Sequence, residues 1–340
     1  METIRVGFLG TRGHTLKFIN LINGFEESEA AAIWSDDPAK AETTAKEGNV
    51  QFCRTPEEVF ALCDAVVITA PNAFKKDLVI KAAQAGKHIF LEKPLAVNAE
   101  DGKAMAEAVE QSGVKFYMSD PFVRNGIVGL KNRIEAGELG EITGGDVRIA
   151  VDRAVVPGHP PVWNRETALG GIMADIGGHA LHVVHYLFGR PESVYADLEC
   201  FTEDAKKNRM EDNAAVIMHY PGKIVTMNAS WVSGGNSAHT MIYGTKGWAE
   251  VINLPGGNEV QKLVIHTAEG TSSFEGEQLP EAPKRHVRYF IEMIADNLPN
   301  DIIGRDPLSN SGVSISDARE YAEILEAAYS SAADGKKIIL

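Results

Sequence analysis

Apolar and polar positions alternate in two different rhythms along this chain. Over residues 1–121, short apolar runs are separated by amphipathic stretches. Residues 4–9, 30–34, 65–69, 87–91 and 114–118 read as strands. Residues 14–23, 38–47, 74–85 and 99–112 read as helices, with Leu16, Ile19 and Ile22 on one face of the first. Asp37 before Pro38 and Thr55 before Pro56 mark helix starts, and Gly86 marks a helix end. The run Ala65-Val66-Val67-Ile68-Thr69 is β-branched and continuous, as expected of a strand buried on both faces of a parallel sheet. Strands alternating with helices of this length predict an α/β domain with a doubly wound parallel sheet.

The rhythm changes at residue 122. One helix, 128–135, is followed by strand-like segments at 141–151, 193–201, 213–220, 224–232, 239–243, 248–252 and 261–266. Tight turns such as Pro221-Gly222 and Thr245-Lys246-Gly247 join several of them, which predicts a large open sheet, mainly antiparallel. Helices at 285–297 and 316–333 close the chain. Residues 122–340 therefore read as one α+β domain. Such a sheet has one face covered by helices and another needing burial, so a homodimer or homotetramer is expected.

Composition narrows the function. A length of 340 residues accommodates two domains, and a formal charge of −14 argues against a nucleic-acid or anionic-membrane partner. Cys53, Cys63 and Cys200 are scattered, so no disulfide framework or zinc site is signalled. No secretory pattern or membrane-length apolar run occurs, and a soluble, cytoplasmic protein is the expectation.

Candidate chemistry begins at Gly10-Thr11-Arg12-Gly13-His14, between the first strand and the first helix. Glycines there allow a sharp turn that brings N–H groups to a pyrophosphate at a helix N-terminus. The strict G-x-G-x-x-G spacing is not met: counting from Gly10, Arg12 holds the second glycine position and Thr15 the third. Either the turn is shortened with Gly13 as the close-approach residue, or Arg12 adds a cationic phosphate contact. At the end of the second strand, Ser35 or Asp36 takes the place where a carboxylate accepts the ribose hydroxyls of NAD. With no Arg or Lys beside Ser35, NAD is favoured and NADP stays open.

Thr69-Ala70-Pro71-Asn72, Ala85-Gly86-Lys87-His88 and Glu92-Lys93-Pro94-Leu95 follow at the ends of successive strand–helix units. With Gly170-Gly171-Ile172-Met173-Ala174-Asp175-Ile176-Gly177-Gly178-His179, this series resembles the glucose-fructose oxidoreductase / inositol dehydrogenase (Gfo/Idh/MocA) family. The likeness implies a Rossmann domain and NAD(P)-dependent oxidation or reduction of a sugar, cyclitol or related polyol. It implies Lys93, Asp175 and His179 as the catalytic group, and cofactor contacts from Ala70, Pro71, Asn72, Glu92 and Lys93. His182 stands where the family often has an aspartate.

Chemistry reaches a similar assignment. A histidine titrating near neutrality suits the base that takes a hydroxyl proton. Asp175 and His179, at i and i+4, share a face wherever the segment is helical. A metal held by Asp175, His179 and His182 is the lesser reading, since hydride transfer needs none. Trp163 and Arg165, with His159, lie in a loop able to wall a substrate pocket, and Asp152 with Arg153 reads as an ion pair on a solvated edge. A bound-NAD elimination or isomerisation enzyme and a non-catalytic sensor are the competing functions.

Overall fold

The computed structural model describes residues 3–154, 163–233, 235–253, 261–275, 282–300 and 312–340. By contacts the chain divides into two compact units, Met1–Asp120 with Pro280–Ala322, and Pro121–Leu279 with Glu323–Leu340.

In the first unit, β1 (Ile4–Leu9), β2 (Ser28–Trp34), β3 (Gln51–Phe52), β4 (Ala65–Ile68), β5 (His88–Glu92) and β6 (Phe116–Ser119) form one parallel sheet in the order β3-β2-β1-β4-β5-β6. Between them run α1 (Thr15–Ile22), α2 (Pro38–Gly48), α3 (Pro56–Phe60), α4 (Asn72–Gln84) and α5 (Ala99–Ser112). The β-branched strand β4 is buried along its whole length, as its composition predicts. Helix starts are chemically explicit: Asp37, Thr55 and Asn98 each accept from a backbone N–H three residues on.

The sheet order reverses between β1 and β4. At such a switch point the loops at the carboxyl ends of neighbouring strands diverge and leave a crevice for a ligand. Whatever binds there meets the loops following β1 and β4.

Contacts assign Pro280–Ala322 to this first unit, whereas the sequence pattern groups all of 122–340 together. The reason is burial. Helix Ala282–Ala295 inserts Val287, Phe290, Ile291 and Met293 into the core formed by Phe8, Phe18, Phe90 and Tyr117. An amphipathic pattern shows that a helix has an apolar face, but not which core receives it.

The second unit is built on a nine-stranded sheet in the order β14-β13-β12-β11-β7-β10-β9-β8-β15. Its strands are β7 (Ile142–Ala150), β8 (Ser193–Glu199), β9 (Asn213–Tyr220), β10 (Lys223–Ser230), β11 (Ser237–Gly244), β12 (Gly247–Asn253), β13 (Gln261–Thr267), β14 (Gly270–Glu275) and β15 (Ile338–Ile339). All pairings are antiparallel except β7 with β10. The edge strand β14 is exposed throughout, so no apolar alternation announced it. Helices α6 (Asn125–Glu135), α7 (Arg165–Ala168), α8 (Gly178–Phe188) and α9 (Glu203–Asn208) complete the unit, with α6 and α8 packed on the sheet. The opposite sheet face carries exposed Tyr195, Ile217, Ile224 and Tyr243. Among the described residues, no helix is long and apolar enough to cross a membrane.

Candidate active site

Gly10 is the residue on which the β1–α1 turn depends. Its φ is +115°, and a Cβ there would lie 2.4 Å from the Ala70 nitrogen and 2.6 Å from the Thr69 carbonyl carbon. The loops following β1 and β4 therefore touch backbone to backbone at the switch point. Gly13, at φ +58°, has open space where a Cβ would stand, so its need for glycine is conformational. Gly10 is the glycine that lies against the neighbouring loop, while Gly13 faces open space.

Thr15, at the third fingerprint position, is buried and joins the same two loops. Its hydroxyl lies 2.7 Å from that of Thr69 and 2.9 Å from the Arg12 carbonyl, to which it donates. A hydrogen-bonded threonine thus occupies the place of the usual small residue. Arg12 is half-buried and His14 is the N-cap position of α1. Gly10→Ala is expected to raise the NAD Kd about tenfold or more, since relieving ~1–3 kcal/mol of backbone strain must displace one of the two loops. Isothermal titration with NAD measures it, and unchanged affinity would contradict this account of the turn.

At the end of β2, Ser35 is buried with its hydroxyl 3.2 Å from that of Thr11. The Ser35 hydroxyl also donates to the Asp36 carboxylate at 3.1 Å. Asp36 itself is exposed. After β4, Ala70 is buried and Pro71 takes the N-cap position of α4, whose first residue is Asn72.

Glu92 ends β5, and Glu92, Lys93 and Pro94 are half-buried, with a cis Lys93–Pro94 peptide. Beneath them lies a residue the sequence pattern did not mark. Lys75, only 3% exposed, donates from Nζ to the carbonyls of Glu92, Lys93 and Pro94 at 2.7, 2.9 and 2.8 Å.

Asp175 and His179 lie in the second unit. The segment Met173–Gly177 is a turn of π-helix that runs directly into α8. The pair is helical as expected, but Asp175 sits in the wider turn, a feature that recurs at functional sites. His179 is 8% exposed and stacks on Phe122, with ring centroids 4.3 Å apart and planes inclined by 24°. Asp175 accepts from Arg153 Nη1 at 3.1 Å, both side chains remaining partly exposed. Arg153 therefore pairs with Asp175, where the sequence pattern suggested Asp152.

The glycine pair before this segment is held by a second unmarked residue. Glu211, buried and on the approach to β9, accepts at Oε1 from the Gly171 and Met173 nitrogens (2.8 and 3.2 Å) and from the Tyr329 hydroxyl (2.7 Å). A Cβ on Gly171 would fall 2.1 Å from the Glu211 carbonyl oxygen. Burial pushes the Tyr329 phenol well above its ordinary range, and the adjacent Glu211 carboxylate adds to that, so the phenol stays a donor. The last helix, Ile315–Asp334, thereby ties down the start of the histidine helix.

The other expected site residues are placed less uniformly. His182 is buried on α8. Trp163 is half-buried, edge-on to Trp231 at 5.6 Å. Arg165 is exposed in α7 and donates to the Arg209 carbonyl at 3.2 Å. His159 lies outside the described residues. Among the described residues, no group of three or more His, Cys, Asp or Glu is arranged to hold a metal ion.

Comparison with known proteins agrees with this architecture. A family profile described as "Oxidoreductase family, NAD-binding Rossmann fold" matches residues 4–119, and one described as "GFO/IDH/MocA C-terminal domain" matches residues 127–250. The chain is 34% identical to levoglucosan dehydrogenase of Pseudarthrobacter phenanthrenivorans over 39% of its length and 35% of that protein. It is 33% identical to the scyllo-inositol 2-dehydrogenase (NAD(+)) of Bacillus subtilis over 50% of its length and 49% of that protein. These matches span a third to a half of the relatives. Identity to the inositol 2-dehydrogenase of Rhizobium meliloti is 25%, over 94% of this chain and 98% of that one. In fold, the chain resembles a levoglucosan dehydrogenase solved with NADH and levoglucosan (TM-score 0.81, 21% identity, 99% of each chain). It equally resembles the aldose-aldose oxidoreductase of Caulobacter crescentus (TM-score 0.80, 21% identity, 100% of each chain). The chain belongs to the Gfo/Idh/MocA oxidoreductase family, and residues 4–119 are its NAD-binding Rossmann domain.

Proposed function

We propose that this member of the Gfo/Idh/MocA family transfers hydride between a nicotinamide and a carbinol or carbonyl carbon of a sugar, cyclitol or related polyol. The observation that carries the reading is the backbone contact of Gly10 with Thr69–Ala70, which leaves no room for a side chain at the switch point. The two loops flanking the switch point are thus packed backbone to backbone, and the turn leading into α1 would offer its backbone N–H groups to a pyrophosphate, which is the fit a dinucleotide requires. The bound nicotinamide supplies the hydride acceptor. Gly10, Thr11, Arg12, Gly13 and His14 would hold the phosphates, and Ala70, Pro71, Asn72 and Glu92 would line the crevice. Asp36, steadied by Ser35, would accept the ribose hydroxyls and repel a 2′-phosphate, which favours NAD over NADP.

In the oxidising direction the substrate hydroxyl must lose a proton as hydride leaves its carbon. His179 is the proposed base, its ring plane set by Phe122. Lys93 is the proposed donor to the reacting oxygen, stabilising the negative charge that develops there. Asp175, paired with Arg153, provides a carboxylate for orienting the base or accepting a neighbouring hydroxyl. Trp163, Arg165 and His182 are the proposed further substrate contacts. The exposed apolar side chains of the second unit's open sheet face support a homodimer or homotetramer. Sedimentation velocity should then give two or four times the chain mass, and a monomer would overturn that assembly.

The experiment is a screen of purified protein with NAD and NADP against sugars, sugar acids and inositols, among them myo-inositol, scyllo-inositol, D-xylose and levoglucosan, read at the reduced-cofactor absorbance. Net cofactor reduction, faster with NAD, is expected. NAD binding without reduction by any sugar, sugar acid or inositol would overturn the dehydrogenase reading.

A further inference from the structure

We infer that Lys75 is a positioning residue for Lys93, acting as a buried cationic peg around which the Glu92–Pro94 backbone is wrapped. The inference rests on the proposed role of Lys93 and goes beyond it, because Lys75 meets the turn through the carbonyls of Glu92, Lys93 and Pro94.

An ammonium group has three N–H donors and no acceptor. At Lys75 three consecutive carbonyls, those of Glu92, Lys93 and Pro94, lie within 2.7–2.9 Å of Nζ. In an extended strand successive backbone groups alternate in direction, so three consecutive carbonyls converge on one point only where the chain curls. Lys75 is 3% exposed, and a charge buried to that degree persists only with its donors satisfied. The peg and the curled turn therefore require one another. An apolar side chain of similar length leaves the three carbonyls without a donor, and the turn relaxes toward solvent.

The peg is anchored independently of the turn. Lys75 belongs to the first turn of α4, which starts directly after the β4 loop that meets Gly10. One short stretch of chain, 69–75, thus contacts the glycine turn at one end and holds the lysine turn at the other. Movement of Lys75 would displace the Lys93 Cα with little effect on Gly10, because the close approach to Gly10 is made by Thr69 and Ala70.

The test compares the parent protein with Lys75→Met, which keeps the apolar stem and removes all donors. For the polyol turned over best in the screen, kcat should fall ~100-fold with NAD affinity held within ~3-fold, the pattern of a misplaced catalytic group. Hydrogen exchange should accelerate across residues 91–97 and remain at the parent rate across 4–22. If Lys75→Met does not fold, Lys75→Gln, which retains two donors, should show the same pattern with a smaller loss. A folded variant with parent kcat, or one whose loss lies wholly in cofactor affinity, would overturn the inference. Unchanged exchange across 91–97 would do the same. The exchange readout needs no turnover: acceleration confined to 91–97 in a protein inactive on every polyol would sustain the peg while the dehydrogenase reading fell.

Discussion

Lys93→Met is expected to lower kcat ~100- to 1,000-fold, the cost of removing one preorganised donor from a developing oxyanion. Methionine keeps the length and apolar stem of lysine while deleting charge and donors. The turn carrying Lys93 is held through backbone carbonyls by Lys75, so the substitution leaves its supports in place. Unfolding temperature should be close to that of the parent, and the loss should fall on kcat far more than on NAD affinity, since the interaction with the reacting oxygen is made in the transition state. Steady-state kinetics on the best polyol, with NAD binding measured separately, checks both. Retention of kcat within a factor of ~10 would remove Lys93 from the reacting oxygen. This pattern differs from that expected of Lys75→Met in one respect: only the latter should loosen the turn itself.

The second large effect is structural. Phe90→Ala is expected to destabilise the first unit by ~3–5 kcal/mol. Phe90 is fully buried in β5, two residues before Glu92. Its ring stacks on Tyr117 of β6 at 5.5 Å and meets Phe18 of α1 edge-on at 5.3 Å. It also meets Phe290 of helix Ala282–Ala295 edge-on at 5.6 Å. Truncation removes partners from three elements at once and opens a cavity that flanking strands cannot close. Edge and stacked geometries add a smaller aromatic contribution beyond the buried area. Two-state behaviour is not assured in a chain of two compact units, so the loss is best read as the lowered midpoint of one calorimetric transition. Hydrogen exchange should accelerate across 282–295, because Phe290 loses its partner. A midpoint unchanged from the parent would show that Phe90 is not central to this core.

Much of the fold was legible because the determinants are local. The buried β4 run, the capping residues Asp37 and Thr55 and the buried Ile19 and Ile22 of α1 each act over a few neighbours. Leu16, however, expected on the same face of α1, is exposed, and Phe18 is buried in its stead. Lys93 and the Asp175/His179 pair are proposed from motifs that are likewise local in sequence. In the glycine turn the sequence pattern gave no sign that Gly10 lies against Thr69–Ala70, a contact made by residues about sixty positions apart.

Residues that hold the candidate site in shape were not legible at all. Nothing in the pattern of the helix 74–85 set Lys75 apart, and Glu211 and Tyr329, 118 positions apart, carried no common signal. Arg153 gave no sign of reaching Asp175, and the helix Ala282–Ala295 gave no sign of returning to the first core. By itself the sequence determined most strands and helices of the first unit and the longer strands of the second, since propensity, capping and periodicity are short-range, but not short or exposed elements such as β14. Tertiary structure alone decided which distant carbonyl, carboxylate or core each remaining side chain meets. A buried charge or an apolar face has no unique partner until the backbone brings one within contact distance, and it is then that desolvation selects the pairing.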